Sequence, residues 1–505
     1  MSEPVADEER AREAEKAALA RVRAEEDGDV VLIDDSLEDD EEEVETFADD
    51  RTLSEEFVDA VAEAVEAGDA AEARALCEDL HPADLASLLG FLSEEDRTAL
   101  IHLFGGELDP EVLAELDPDI RESVVMALRP EKVAEAVADL DTDDAAFLLE
   151  DLDDDVRAGI LAEMPTADRI ALSAALDYEE ESAGRLMQRE VFAAPGYWTV
   201  GQIIDRLRGS DDLPDRFYEV FVVDPTNKPI GSVPLSTLLK TRREVPIQEI
   251  MTDRELRLIP VDMDQEEVAY LFERYNLISA PVVDDSERLV GMITVDDVVE
   301  IVHEETHEDM LALGGVEADV GLSDTVFETV RSRFSWLAVN LGTAILASLV
   351  ISLFDAAISQ IVALAVLMPI VASMGGNAGT QTLTVAVRSL ATKDLTATNA
   401  ARIIWRETLV GGVNGVLFAL IMGGLAALWY FATTGERSDS VEIGLVVGVA
   451  MIVNLIAAGL AGILVPLGLQ RAGADPAVSS AVFVTTVTDV LGFFVFLGLA
   501  AIILL

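Results

Sequence analysis

Two features set within apolar sequence have the residue types for ion chemistry. The first is Met368–Leu390, MPIVASMGGNAGTQTLTVAVRSL, where Gly375, Gly376, Asn377, Gly379, Thr380 and Gln381 interrupt an otherwise apolar run. Backbone freed at membrane depth is satisfied only by other protein or by a water-filled cavity. The stretch therefore reads as a break in a helix, with Asn377, Thr380 and Gln381 facing an aqueous path. The second is Asp489 in FVTTVTDVLGFF, an ionisable residue deep inside the last apolar run. Charge at that depth is costly and by default marks a substrate path. Together they point to a pore or a carrier. The alternative for the glycines alone is a helix packed through small residues, which also line ordinary helix interfaces in membranes.

Two further constellations lie outside the apolar runs. His303-Glu304-Glu305-Thr306-His307 spells H-E-x-x-H, which on a helix sets two imidazoles on one face for zinc with a glutamate as base. Glu308 and Asp309 follow it at once, and with 4 histidines in the chain a third ligand would have to be a carboxylate. A zinc-dependent membrane protease is thus the weakest reading. The same helix carries Asp297, Glu300, Glu304 and Glu308 on one side and Val298, Ile301 and Val302 on the other. Unpaired carboxylates repel one another unless cations intervene, and oxygen ligands with retained water suit magnesium. The alternative is a solvated face.

Composition says where these groups must be placed. Of 505 residues 50% are hydrophobic, and the formal net charge is −62. From Phe334 onward there are 8 acidic and 6 basic residues, so nearly all of that charge lies before it. Such a surface repels nucleic acid and anionic headgroups and concentrates cations. Because the acid is spread over the whole soluble part, adaptation to a salty cytoplasm explains it better than a specific polycation or divalent-metal sensor does. The single cysteine, Cys77, excludes an internal disulfide and a thiolate metal cluster, and reads as a core residue. Residues 1–50 lack the apolar core of a signal peptide, which predicts a cytoplasmic soluble part.

Residues 1–52 read as a disordered acidic tail. Residues 53–185 form a helical-repeat N-domain, in which HPADLASLLGFL, LDPEVLAEL, RPEKVAEAVADL and DTDDAAFLLEDL show helical spacing with proline or acid at the start. Short helices of this kind stack into a superhelix. His81 and His102 are expected on its surface or as caps. Two similar α/β units follow, 186–246 and 247–304, carrying FYEVFVVDPTNKPIGSVPLSTLL and NLISAPVVDDSERLVGMITVDDVV. A linking helix over 305–333, capped by Ser323 or Asp324 after a flexible Gly314-Gly315, leads into a five-span domain over 334–505. The spans are Phe334–Phe354, Ile358–Leu390, Thr408–Phe431, Val441–Leu469 and Val478–Leu505, each near the roughly twenty residues a bilayer requires. Arg331, Arg333, Arg388, Lys393, Arg402, Arg406 and Arg471 then share one side, which the positive-inside rule makes cytoplasmic, with the C-terminus outside.

The paired units resemble tandem CBS modules, whose strands and helices commonly hold adenine nucleotides such as ATP or act as hinges. Gly291, Thr294 and Asp297 match the nucleotide-type G-x-x-T-x-x-D pattern in the second unit, while the first has Leu235-Ser236 where an acid is expected. With the helical N-domain, PIVASMGGNAGTQTLTVAVRSLAT and DPAVSSAVFVTTVTDVLG, the chain from Leu53 onward resembles the MgtE family of magnesium channels and transporters. The resemblance implies a homodimer with a cytoplasm-gated pore, not an enzyme, in the cytoplasmic membrane. It implies that Asp489 holds a hydrated Mg2+ ion and that Gly375, Gly376, Asn377 and Thr485 lie near the pore. It further implies that Asp297, Glu300, Glu305, Glu308 and Asp309, with Asp264 and Glu266, bind regulatory Mg2+ and close the pore. Ala481 stands where the family pattern has asparagine, Thr485 where it has alanine, and Asn276 where it has an acid. A carrier coupling divalent cations to sodium or protons is the alternative.

Overall fold

The computed structural model describes residues 46–48, 51–105, 108–150, 152–209, 216–252, 256–316, 326–396, 398–478 and 480–505, apart from the side chain at 328. The acidic tail, but for its last few residues, and the capping residues Ser323 and Asp324 lie outside these. Two compact units are separable, 1–63 and 64–505. In the first, Phe47 and Leu53 form an antiparallel bridge. The Ser54 hydroxyl then accepts the Phe57 N–H at 3.0 Å, in the opening turn of the helix Glu55–Ala67.

The larger unit begins with short helices from Ala70–Cys77 to Thr166–Leu176. Their N-termini follow local rules. Proline occupies the first turn at Pro82, Pro110, Pro118 and Pro130, where its missing N–H costs nothing. Asp69, Ser93, Asp109 and Asp117 cap with side-chain oxygens. His81 also caps, its Nδ1 accepting the Ala83 N–H at 3.3 Å, and His102 is exposed, as expected of both. Two buried arginines join helices of this region. Arg97 donates to the Leu89 and Leu92 carbonyls, while Arg121 of α1 (Pro118–Ala127) donates to the Phe147 carbonyl and lies 4.0 Å over the Phe147 ring. That ring belongs to α2 (Thr142–Glu150).

Two three-stranded sheets follow with one topology. In β1 (Ala193–Pro195), β2 (Glu219–Val223) and β3 (Pro229–Pro234), β2 is central, parallel to β1 and antiparallel to β3. The second sheet, β4 (Ile259–Pro260), β5 (Ser279–Val283) and β6 (Leu289–Thr294), repeats this. The repeat extends to detail. Each central strand has an irregularity at its end, at Val222/Val223 and Val282/Val283. Each hairpin turn has an aspartate, Asp224 or Asp284, accepting backbone N–H groups, and a left-handed residue, Asn227 or Glu287. The first unit, whose sequence departs further from the CBS pattern, thus shares the fold of the second. The units are joined by Asn227, which exchanges hydrogen bonds with Leu289 at 2.8 and 2.9 Å.

The second unit packs α3 (Gln265–Tyr275) and α4 (Val295–Gly314) against its sheet, with Val268, Phe272, Val298 and Ile301 buried. The expected division at residue 304 falls inside α4, a single helix that ends at Gly315 in a left-handed cap. No separate linking helix occurs in the described part of 305–333, because residues 326–333 are already continuous with the first span.

Among the described residues five helices are long and apolar enough to cross a membrane: α5 (Val326–Ser352), α6 (Ala363–Ala391), α7 (Ala400–Thr434), α8 (Arg437–Arg471) and α9 (Ser480–Ile503). Central α8 packs against α6, α7 and α9. Glycine allows the closest approaches. A side chain at Gly423 or Gly444 would meet the other's carbonyl, at 2.7 and 2.5 Å. The expected break at Gly375–Gly379 does not occur, because α6 is helical throughout. Gly375 and Gly379 are buried in interhelical contacts, so the ladder of backbone hydrogen bonds continues and no backbone groups are freed there.

Candidate ion path and carboxylate clusters

Four polar residues of α6 lie on one helical face rather than in a loop. Ser373, Asn377, Gln381 and Thr384 are all exposed at helical spacing, although they sit in an otherwise apolar helix. Asp489 is half-buried on α9, next to α6. A Cβ at Gly376 would lie 4.0 Å from the Thr488 hydroxyl, and one at Gly379 only 2.6 Å from Val484. Gly375 faces Asn454 of α8. The Thr485 hydroxyl is turned back to its own helix, donating to the carbonyls of Ala481 and Val482 at 2.9 and 3.1 Å. Of the sequence-derived set, Asp489, Gly376 and Asn377 are thus available to an ion path, whereas Gly375 serves packing.

The stripe on α4 does not stand alone. At its start Asp297 faces Asp143 and Asp144, in the first turn of α2, with Asp141 and Glu115 nearby. Two helix N-termini are brought together here, and their dipoles favour negative charge. Even so, burial raises Asp144 to about 7 and Asp297 to about 6, and raises Asp143 well above the usual range, where Asp297 adds to it. Partial burial and Glu115 raise Glu300 as well, against the pull of Arg121.

A second cluster lies further along α4. Burial raises Glu305 to about 7 although Gln265 Nε2 donates to it at 2.6 Å, and Glu266 and Glu308 add repulsion. Burial and then Asp475 raise Asp309. Glu181 and Asp475 also bear on Glu308. Asp475 lies in the α8–α9 connection, so this cluster spans the N-domain end, the second α/β unit and the membrane domain. Its place beside α6, α8 and α9 is set by apolar packing, since Ala312 and Leu313 at the end of α4 pack with Leu383, Val387, Ala461 and Val484. Among the described residues no three His, Cys, Asp or Glu side chains converge at metal-ligand geometry. The donor set nevertheless suits Mg2+, which binds through one or two carboxylates and keeps several waters. Desolvated carboxylates held above their usual pKa are the groups such a cation would relieve.

Between the two α/β units a cleft of about 490 Å³ is lined by Tyr218, Glu219, Arg257, Arg274, Tyr275 and Ile278, among others. The Arg257 guanidinium lies 4.2 Å over the Tyr275 ring. Thr294 and Asp297 are not part of it. They form the capping box of α4, with the Thr294 N–H donating to Asp297 Oδ2 at 3.0 Å.

The sequence as a whole aligns with curated proteins along nearly its full length. It is 30% identical over 471 residues to the magnesium transporter MgtE of Thermus thermophilus, covering 90% of this chain and 99% of that protein. The chain belongs to the MgtE family. It is likewise 29% identical to the Bacillus subtilis magnesium transporter MgtE, over 85% of this chain and 93% of that one. Family profiles match residues 80–181 as the MgtE intracellular N domain, 247–304 as a CBS domain and 368–499 as a divalent cation transporter. Among solved structures, the cytosolic domain of the Mg2+ channel MgtE in complex with ATP is similar at 30% identity and a TM-score of 0.45, covering 48% of this chain and 99% of that one.

An MgtE protein is a multi-pass membrane protein, and the five long helices accord with this. His303, Glu304 and His307 are all exposed on α4, and the H-E-x-x-H run is what an acid-rich helix produces by composition. Asp264 serves as the N-cap of α3, accepting the Glu266 N–H at 2.9 Å. Asn276 takes the left-handed position that ends that helix, which suits asparagine. Sequence reading missed Asp141, Asp143, Asp144 and Asp475. The first three stand at a legible helix start, DTDD, but nothing local says which helix end they will meet.

Proposed function

We propose that this protein conducts Mg2+ across the cytoplasmic membrane, as a homodimer, along the polar face of α6 beside Asp489. The observation that carries the reading is the exposed stripe Ser373, Asn377, Gln381 and Thr384 on a membrane helix. Side chains of this kind do not face lipid without cost, so water and a second copy of the chain cover them. Mg2+ dehydrates reluctantly, and one carboxylate per subunit acting through retained water suits it. Thr485, one turn before Asp489, lies beside that path with its hydroxyl bonded to its own helix. The basic residues Arg331, Arg333, Arg388, Lys393, Arg402, Arg406 and Arg471, which fall on one side of the five spans, support soluble domains in the cytoplasm and a C-terminus outside.

The same reading makes α4 the gate. Cytosolic Mg2+ at Asp297, Glu300 and the α2 carboxylates, and at Glu305, Glu308, Asp309, Glu266 and Asp475, neutralises repulsion and favours this packed arrangement, which holds the end of α4 against α6 and α9. Asp264 supports Glu266 as a cap. An adenine nucleotide such as ATP suits the cleft, with its base between Tyr218, Tyr275 and Ile278 and its phosphates on Arg257 and Arg274. The test is Mg2+ flux into proteoliposomes with internal Mg2+ absent or high. Uptake in the first case and closure in the second is expected; uptake insensitive to internal Mg2+ would remove the gate, and no uptake the conduction.

Two further outcomes follow from the gate. Lys393, just after α6, has its Nζ 3.4 Å from Glu267 and 4.5 Å from the Tyr270 ring, both on α3. This ties the ion-path helix directly to the sensor. An exposed ion pair and a cation–π contact together contribute about 1–1.5 kcal/mol. Lys393→Ala should therefore raise the internal Mg2+ needed for half-closure roughly 5–10-fold, with flux at zero internal Mg2+ unchanged; an unaltered closing curve would count against the tie.

The second outcome concerns pH. Asp144, Asp297 and Glu305 have pKa values raised to about 7, 6 and 7 in the packed state. Protons therefore stabilise that state, fully below the ordinary carboxylate range, and the stability is lost as pH rises through 6–7. Without Mg2+ the full-length protein should melt at lower temperature at pH 8 than at pH 5. Added Mg2+ should raise the melting temperature at pH 8 at least about twice as much as at pH 5, where protons already occupy the carboxylates. Equal Mg2+ effects at both pH values would argue against these groups as ligands.

A further inference from the structure

Asn454 lies midway along α8, is 1% exposed, and is the one amide in a stretch of that helix otherwise made of apolar residues. Its Nδ2–H donates to the Val371 carbonyl of α6 at 2.8 Å, while Oδ1 has no hydrogen-bond partner among the described residues. The amide fills a slot made by glycines on two other helices. A Cβ at Gly375 of α6 would overlap it, and one at Gly492 of α9 would come within 2.9 Å of Nδ2. Gly375 immediately precedes Gly376 and Asn377, and Gly492 lies one turn beyond Thr488 and Asp489. One side chain thus touches both helices that carry the polar groups of the ion path, at the level of those groups.

An apolar residue of the same shape would pack here without leaving a buried oxygen unpaired, and would cost less. Two glycines also weaken helices where they serve no backbone purpose, and both are in ordinary helical conformation here. Three residues on three helices are therefore each suboptimal alone and consistent only together. We propose that Asn454 is a positioning residue of the ion path: its amide fixes the depth and rotation of α6 relative to α9 and so the distance between the Asn377 face and Asp489. The inference rests on the conduction reading above, and it adds a residue that neither faces the path nor carries charge.

The test compares stability with transport in full-length protein reconstituted in proteoliposomes. Asn454→Leu keeps the volume and removes the orphaned oxygen, so its melting temperature should equal or exceed that of the unaltered protein. Its maximal Mg2+ flux should nonetheless fall at least tenfold, with a changed ratio of Co2+ to Mg2+ flux. If Asn454→Leu does not fold, the pair Gly375→Ala with Asn454→Ala decides. Gly375→Ala alone should be destabilised by overlap with the amide, and the double variant should recover the melting temperature without recovering flux. Flux and ion ratio at unaltered levels in either stable variant would overturn the proposal, since Asn454 would then be packing alone. Absence of Mg2+ flux in the unaltered protein would sink the conduction reading, and this inference with it.

Discussion

Asp489→Ala is expected to lower Mg2+ flux into proteoliposomes about 100-fold while the protein still folds and inserts. The magnitude follows from what the carboxylate does for a hydrated divalent ion. Hydrogen bonds from ion-bound water to a charged acceptor contribute about 1.5–3 kcal/mol each, and losing roughly 3 kcal/mol at the narrowest site corresponds to about two orders of magnitude. Folding is expected to survive because Asp489 is only half-buried and removing a charge from a membrane helix relieves desolvation. Asp489→Asn is the finer probe, since it keeps size and hydrogen bonding and loses only the charge. If either variant conducts Mg2+ at the unaltered rate, the ion does not pass this carboxylate and the path must be sought elsewhere.

The second large effect is expected at the gate. Asp297→Asn, Glu305→Gln and Glu308→Gln combined should leave a protein that conducts at internal Mg2+ concentrations that close the unaltered one, with the half-closing concentration raised at least about tenfold. Cytosolic Mg2+ can close the pore only through its greater affinity for the closed arrangement, and these three groups supply charge to both clusters on α4. The substitutions are chosen to spare structure. Asparagine at 297 can still cap α4 through Thr294, and glutamine at 305 can still pair with Gln265. Normal closure by the triple variant would return the stripe on α4 to the role of a solvated, salt-adapted face. Loss of conduction instead of loss of closure would show that neutral side chains here stabilise the closed state without the ion, as the raised pKa values of Asp297 and Glu305 allow.

Domain order was legible because each element is a local matter. Proline and aspartate punctuate the short helices where the chain needs caps, the two α/β units repeat at matching turns, and apolar runs of bilayer length are unmistakable. Asp489 and the α4 stripe were legible for the same reason, since a charge in an apolar run and acid at helical spacing are both one-dimensional signals. Their chemistry in this particular chain was less so. With acid throughout the soluble part, only packing could distinguish Asp297, which meets Asp143 and Asp144, from the many solvated carboxylates. Proximity across more than 150 residues leaves no mark on a net charge.

The Gly375–Gly379 stretch shows the limit most clearly. Sequence established that polar and glycine residues interrupt an apolar run, but a broken helix and a helix packed through glycine have the same composition. What separates them is whether a neighbour fills the glycine slots. Asn454, 79 residues from Gly375, fills one of them, the backbone stays helical, and what the helix exposes is polar side chains rather than freed peptide groups. The nucleotide-type signal at Thr294 and Asp297 is ambiguous for a related reason. Thr294 and Asp297 match a nucleotide pattern, yet a capping box uses the same residue types at the same spacing. Which of the two a Thr-x-x-Asp run serves depends on what lies in front of the helix, and that is decided only when both α/β units and the N-domain are folded together.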